Sequence, residues 1–196
     1  MSSVKDPGPL SGTRARTRKA ILGAAVSVLA RDQAAPLSDV AKAAGVSRTT
    51  LHRHFADRAE LLAATTGEAN RAIDSAVSLA DTANGGSREA LGRLIGGLVE
   101  AGDHMLFLFG SYATTEGGEE DQEEDGGAES DSTAVIDLVR RGQDEGVFTA
   151  DLDAKWIENA LWSLVFAGCE ESRSGTAPRH VIAANIIRTL EGGIVR

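Results

Sequence analysis

Arg48, Thr49, Thr50, His52, Arg53 and His54 crowd into one short stretch, and Arg58 follows soon after. These side chains offer guanidinium forks, hydroxyls and imidazoles, a set built to make hydrogen bonds. An arginine fork fits the O6/N7 edge of guanine, and threonine presents a methyl and a hydroxyl to thymine. The remaining cations and hydroxyls suit phosphates, which fix register without reading sequence. On this reading Arg48 and Thr49 address bases, while Thr50, His54 and Arg58 hold the backbone. His52 and Arg53 share the polar face, and Leu51 and Phe55 supply its apolar anchor.

Such a row must be carried on a short helix set at an angle to another. Residues 36–62 predict that arrangement: a helix from Leu37 or Ser38 to Ala44, a stop at Gly45, and a helix over Arg48–His54 with Ser47 as its cap. This is the pattern of a helix-turn-helix that places its second helix in the major groove of DNA. Asp57 and Glu60 form a capping box for a fourth helix, expected to run to about Ala80. A first helix, Thr13–Arg31, carries the stripe Ile21, Leu22, Ala25, Val28 and Leu29. Its opening turns hold Arg14, Arg16, Arg18 and Lys19, cations that oppose the helix dipole and that a phosphate would satisfy. Arg14 and Ser38 are therefore further candidate DNA contacts. Residues 1–12, with Pro7, Gly8, Pro9 and Gly12, read as a mobile arm.

The charge distribution fits a single DNA-facing end. The chain carries −9 overall, yet residues 1–62 hold ten Lys/Arg against five Asp/Glu, a local +5. The remainder carries −14, concentrated in residues 116–131, where nine of sixteen positions are acidic. That run lacks large apolar side chains and predicts a disordered loop. Beyond residue 62 the pattern is helical throughout. Asn84-Gly85-Gly86 breaks the fourth helix, Ser87 caps a fifth, and an apolar sixth spans Asp103–Thr114. Three more are expected at 132–144, 153–171 and 177–191. The fold class is all-α, with about nine helices.

Rival chemistries find little support. His52 and His54 diverge by roughly 200° on a helix and share no metal. Neither His104 nor His180 has a cysteine or histidine at ligand spacing. Cys169 is the sole cysteine, which excludes an intrachain disulfide and reads as an inert packed thiol. There is no catalytic constellation and no cofactor motif. No apolar run suits a bilayer, so a cytoplasmic location is expected.

The arrangement resembles the TetR family of ligand-responsive transcriptional repressors over Thr13–Leu190. The resemblance rests on Asp39-Val40-Ala41, Ala44-Gly45-Val46-Ser47, Thr50-Leu51, His54-Phe55 and Arg58-Ala59-Glu60-Leu61-Leu62. Arg141-Gly142-Gln143-Asp144-Glu145-Gly146-Val147-Phe148 looks like the turn before that family's last two helices. His52 stands where many members have tyrosine, Arg58 where lysine is common, and Pro36-Leu37 replaces the usual hydroxyl cap. The resemblance implies a homodimer, a DNA-binding domain at 13–60 and a ligand-binding and dimerisation domain at 61–196. Its partners would be a near-palindromic operator and a small effector.

Seven of the eight aromatic residues lie beyond residue 100, which suits either core packing or an apolar guest cavity. His104, Phe107, Tyr112, Trp162 and Phe166 are the candidate lining. Leu161, Leu164, Val165, Ile182, Ile186 and Leu190 are the candidate dimer contacts, packing the last two helices against their counterparts. The competing classes are a ligand-independent DNA-binding or architectural protein and an enzyme built on a helical bundle.

Overall fold

The computed structural model describes residues 9–114 and 126–194, with side chains described for 12–110 and 132–194. The described residues form nine helices, α1 (Pro9–Leu29), α2 (Leu37–Ala43), α3 (Arg48–His54), α4 (Arg58–Leu79), α5 (Ser87–Glu100), α6 (Gly102–Thr114), α7 (Gly126–Asp144), α8 (Ala154–Arg173) and α9 (Arg179–Ile194). The all-α architecture is as expected. The chain divides into two compact units, Met1–Glu68 and Ala69–Arg196, so α4 contributes to both.

In the first unit α1 packs on α2 and α2 on α3. Ile21, Leu22, Ala25, Val26 and Leu29 of α1 are buried with Val40, Leu51, Phe55 and Leu61. Val26 takes the core place expected of Val28, which is only half-buried. Gly45 sits at φ +66°, a conformation that side chains with a Cβ rarely adopt, and it turns the chain between α2 and α3. The start of α4 is closed by a reciprocal box: Glu60 N donates to Asp57 Oδ1 (2.8 Å), and Ala56 N donates to Glu60 Oε2 (2.7 Å).

In the second unit α5 and α8 each pack on α9, α7 and one another, and α8 also covers α6. Leu91, Leu94, Ile95 and Leu98 of α5 meet a core that includes Met105, Leu138, Val139 and Ile157. Each such side chain, fully buried, contributes about 1.5–3 kcal/mol. Gly168 lets α9 come close, since a Cβ there would stand 2.6 Å from Ile182 Cγ2 and 2.8 Å from Ile186 Cδ1.

Four expectations are corrected. The helix expected from Thr13 begins at Pro9, because proline fits a first helical turn, where its missing N–H costs nothing. Residues 9–12 therefore belong to α1, and the rest of the expected arm lies outside the described residues. Likewise α7 begins at Gly126, and 126–131 of the expected acidic loop are helical. Residues 116–125 lie outside the described residues.

Ser87 is not a cap. Gly86 holds that position, while Ser87 is buried and its hydroxyl donates to Glu145 Oε2 at 2.5 Å. The proposed dimer residues are the largest correction. Leu161, Val165, Ile182, Ile186 and Leu190 are all at most 5% exposed within one chain, and Leu164 is half-buried. The five buried ones belong to the core that α8 and α9 share within a single protomer, so they are unavailable to a second copy, whereas Leu164 keeps part of its surface exposed.

Candidate nucleic-acid interface and ligand cavity

In α3 the packing splits the helix into two faces. Leu51 is fully buried, and Phe55 just beyond the helix is too. Arg48, Thr49, His52 and Arg53 are exposed on the opposite side, while Thr50 and His54 are half-buried. Ser47 caps the helix by accepting from Thr50 N at 3.1 Å, a bond worth about 1 kcal/mol. Its hydroxyl also lies 2.9 Å from Thr50 Oγ1, so Thr50 helps to hold the turn that aims Arg48 and Thr49 outward. His52 Nδ1 lies 3.3 Å from the Ala56 carbonyl, which orients the ring beside the end of the helix.

A cationic cluster surrounds the C-terminal end of α3. His54 is held below the ordinary imidazole range by burial first, then by the charges of Arg14, Arg53 and Arg18. The Arg18 guanidinium lies 4.9 Å from the centroid of the Phe55 ring, tying α1 to the residue that ends α3 by a cation–π contact. Arg14 therefore lies near enough to the end of α3 for its charge to be felt by His54. Arg18 was missed as a member of the cluster; its opposition to the helix dipole was the available signal. Ser38 is exposed at the start of α2.

Arg58 departs from expectation. Its Nη1 donates to the Ala35 carbonyl (2.6 Å) and its Nη2 to that of Gln33. A guanidinium that donates to two main-chain carbonyls of the α1–α2 connection is a clasp for the head. Those two donors are therefore not available to a phosphate.

The second unit holds a cavity of about 250 Å³ between four helices. Asn70, Ile73 and Asp74 of α4 line it, with Leu108 and Phe109 of α6, Ser132 of α7, and Lys155, Glu158, Asn159 and Trp162 of α8. That volume falls just below the usual range for ligand pockets, roughly 300–1,000 Å³. Phe109 and Trp162 form a tilted aromatic pair with centroids 6.3 Å apart.

Glu158 is the unusual wall residue, since it is 1% exposed yet charged. Its Oε1 accepts from Trp162 Nε1 (3.0 Å) and from Ser132 Oγ (2.7 Å). Lys155 Nζ approaches Oε2 to 2.6 Å as an ion pair, off the angles of a hydrogen bond. Among the described residues Oε2 is the sole buried side-chain oxygen with no hydrogen-bond donor. Burial alone would raise the Glu158 pKa, but Lys155, Ser132 and Trp162 outweigh it and hold the carboxyl below its ordinary range.

Of the residues expected to line a cavity, Trp162 does so. Phe166 lies behind the wall, its ring centroid 6.0 Å from that of Phe109. Phe107 is buried in the core, and His104 borders a separate, more open groove with Leu79. The side chain of Tyr112 lies outside the described residues. Lys155, Glu158 and the α4 wall were missed. Glu158 had a signal: it falls in register with Ala154, Ile157, Leu161 and Val165, a charge on an apolar stripe.

Cys169 is buried, and burial pushes its thiol up to about 11, as fits an inert packing role. Among the described residues no group of His, Cys, Asp and Glu could hold a metal ion, and no helix is long and apolar enough to cross a membrane.

Comparisons with known proteins agree with this geometry. The model of bacterial regulatory proteins of the tetR family matches residues 21–65, the segment holding α2, α3 and the clasp. The chain is 33% identical over 192 residues to the HTH-type transcriptional repressor LfrR of Mycolicibacterium smegmatis, covering 98% of this chain and 97% of that protein. It is 28% identical over 168 residues to the HTH-type transcriptional regulator NfxB of Pseudomonas aeruginosa, covering 85% and 86% of the two. The crystal structure of LfrR in complex with proflavine superposes with a TM-score of 0.73 at 31% identity, over 94% of this chain and 99% of that one. The chain therefore belongs to the TetR family of bacterial regulatory proteins, and it is a DNA-binding transcriptional regulator.

Proposed function

We propose that this regulator is a dimeric repressor that leaves a near-palindromic operator when its cavity takes a small, mostly apolar ligand. The exposed row Arg48, Thr49, His52 and Arg53, on a helix anchored through Leu51, carries the reading. Arg48 and Thr49 read base edges. Thr50, His52, Arg53, His54, Arg14 and Ser38 position the head on the backbone. Two such heads would address successive major grooves about 34–36 Å apart. The dimer would form through the outward faces of the last two helices, with Ser163 and Ala167 of α8 and Val181, Ala184 and Asn185 of α9. Light scattering on the purified protein should give twice the chain mass.

The cavity lined by Phe109 and Trp162 supports a small-molecule effector, and the similar LfrR has been crystallised with proflavine. Release follows if the ligand binds better to a state with weak operator affinity, because only differential affinity shifts the populations. Selection of bound DNA from a random pool, then footprinting, identifies the operator. On that operator Arg48→Ala should cost about 1–3 kcal/mol and relax preference at one base position. Undiminished affinity and selectivity would remove Arg48 from the reading surface.

Operator affinity should also depend on pH through His54. Its pKa is lowered in the free protein by burial and by Arg14, Arg53 and Arg18. Phosphates would offset those charges and raise it again, so DNA binding takes up a proton. Affinity then rises as pH falls through the imidazole range, by up to about tenfold for each unit of pKa recovered. Titrating affinity between neutral and mildly acidic pH checks this, and His54→Gln should flatten the profile.

A further inference from the structure

We infer that Asn84-Gly85, at the corner between α4 and α5, is a site of covalent self-modification, where Asn84 loses its side-chain amide and the corner loosens. The chemistry needs only an asparagine amide, the backbone nitrogen of the next residue, and water. The Gly85 nitrogen gives up its proton and attacks Asn84 Cγ, so an N–Cγ bond forms and the Cγ–Nδ2 bond breaks. Nδ2 leaves with a proton as ammonia, and a five-membered imide closes in the main chain. Water then opens the imide at one of its two carbonyls. One opening leaves aspartate at position 84. The other leaves an isoaspartyl link, in which the main chain runs through the former side chain. Nothing is oxidised or reduced, and the net exchange is water for ammonia.

Among the four asparagines of the chain, Asn84 alone is followed by glycine, which brings no Cβ to crowd the attack. Asn70, Asn159 and Asn185 lie inside α4, α8 and α9, where the amide that would attack is tied into the helix ladder. Asn84 and Gly85 are both exposed and lie between helices. Among the described residues the Gly85 amide donates to no acceptor, so the nucleophile is not held back.

Arg93 supplies the activation. Its Nη2 donates to the Asn84 carbonyl at 2.9 Å, and that carbonyl shares a peptide group with the Gly85 nitrogen. When the nitrogen loses its proton, negative charge spreads onto this oxygen, where the guanidinium stabilises it. The guanidinium also stands beside Gly85 itself, since a Cβ there would lie 3.8 Å from Nη1. Arg141 Nη1 donates to the Gly85 carbonyl at 2.7 Å, but that oxygen belongs to the following peptide group. The acidic groups facing the corner are Asp81, Glu89 and Glu145. Asp81 Oδ1 accepts from Asn84 Nδ2 at 2.8 Å, Glu89 Oε2 lies 4.0 Å from the same Cβ position, and Glu145 accepts from Arg141 at 3.1 Å.

Neither product can keep the corner as it stands. Arg93 holds the carbonyls of Ala80, Asp81 and Asn84, and Arg141 holds those of Thr82 and Gly85. Aspartate at position 84 would set a carboxylate where an amide now donates to Asp81, and like charges that close repel. An isoaspartyl link lengthens the main chain by a methylene before Gly85, and so shifts the carbonyl that Arg141 holds. Modification is therefore a slow, one-way release of the far end of α4.

The test incubates the purified full-length protein in mildly alkaline buffer and follows each asparagine-containing peptide over time by digestion and mass spectrometry. The Asn84 peptide should gain one mass unit while the peptides of Asn70, Asn159 and Asn185 stay unchanged. An isoaspartyl methyltransferase should label that same peptide. Converted protein, separated by its extra negative charge, should show faster amide hydrogen exchange over residues 80–86. Arg93→Gln should slow conversion by about tenfold, the loss of one charge-assisted hydrogen bond. Arg141→Gln loosens the corner without touching the reacting peptide group, and it should not slow conversion. Circular dichroism confirms that each variant is folded, and the wild type decides the site by itself even if Arg93→Gln is unstable.

Conversion at Asn84 no faster than at the other three asparagines of the folded wild type would overturn the site. Faster conversion in folded Arg93→Gln would overturn the activation and make Arg93 a restraint. Unchanged exchange over 80–86 in converted protein would overturn the release.

Discussion

Gly142→Ala is expected to destabilise the second unit by about 3–5 kcal/mol, the cost of emptying a buried phenylalanine site. A Cβ at position 142 would stand 2.1 Å from Phe148 Cδ2 and 2.4 Å from Cε2. The ring cannot yield in place, because Phe148 is 1% exposed and sits against the end of α7. The backbone cannot yield either, since the amides of Val147 and Phe148 both donate to the Gly142 carbonyl at 2.9 Å. Gly146, at φ +71°, fixes the turn that returns Phe148 to this position. The ring must therefore leave its site.

Both tryptophans, Trp156 and Trp162, lie in this unit, so their fluorescence in urea reports its unfolding directly. Gly96→Ala is the control, because a Cβ there meets nothing within 4 Å inside α5. It should raise stability by about 0.5–1 kcal/mol, the helical preference for alanine over glycine. Equal urea midpoints for the two variants would refute the close-approach account.

Arg58→Lys is the second large effect, and its interest is that it keeps the charge. If Arg58 served only as a cation for phosphate, lysine would serve nearly as well. As a clasp it must reach Gln33 and Ala35 together, which a planar fork does and a single ammonium does not. One carbonyl loses its charged donor, at about 1–3 kcal/mol of head stability. Amide hydrogen exchange over α1–α3 should therefore speed up in the variant, since this unit contains no tryptophan to report on it. Operator affinity should fall because α2 and α3 are less well held. The slope of log affinity against log salt should stay constant, whereas loss of a phosphate contact lowers it by about one. Unchanged exchange with a shallower salt slope would restore Arg58 to the phosphate backbone.

The head was largely legible from the chain. Ser47, Gly45, Asp57 and Glu60 act on backbone groups within four residues of themselves, so their chemistry shows in the order of residues. The bounds of α3 followed from these signals, and the exposed row Arg48, Thr49, His52 and Arg53 followed from α3. The cavity was much less legible. Trp162 drew attention by its side chain alone, but the partners that make the site polar come from other helices. Ser132 reaches Glu158 across 26 positions, and Ser87 reaches Glu145 across 58. No local rule predicts such pairs.

The misplaced dimer contacts show the same division. Sequence periodicity identified Leu161, Val165, Ile182, Ile186 and Leu190 as faces that avoid water, and each of them is buried. It could not name what buries them, because the hydrophobic effect depends on area removed from water and not on which surface removes it. By itself the sequence determined the number of helices, the caps of α3 and α4, the basic head and the exposed polar row of α3, all consequences of short-range chemistry. Only the tertiary structure decided that Arg58 clasps the head, that the apolar stripes of α8 and α9 close the protomer's own core, and that Glu158 sits charged in the cavity wall. Those outcomes depend on which distant segments meet, and that is fixed by the packing of the whole unit.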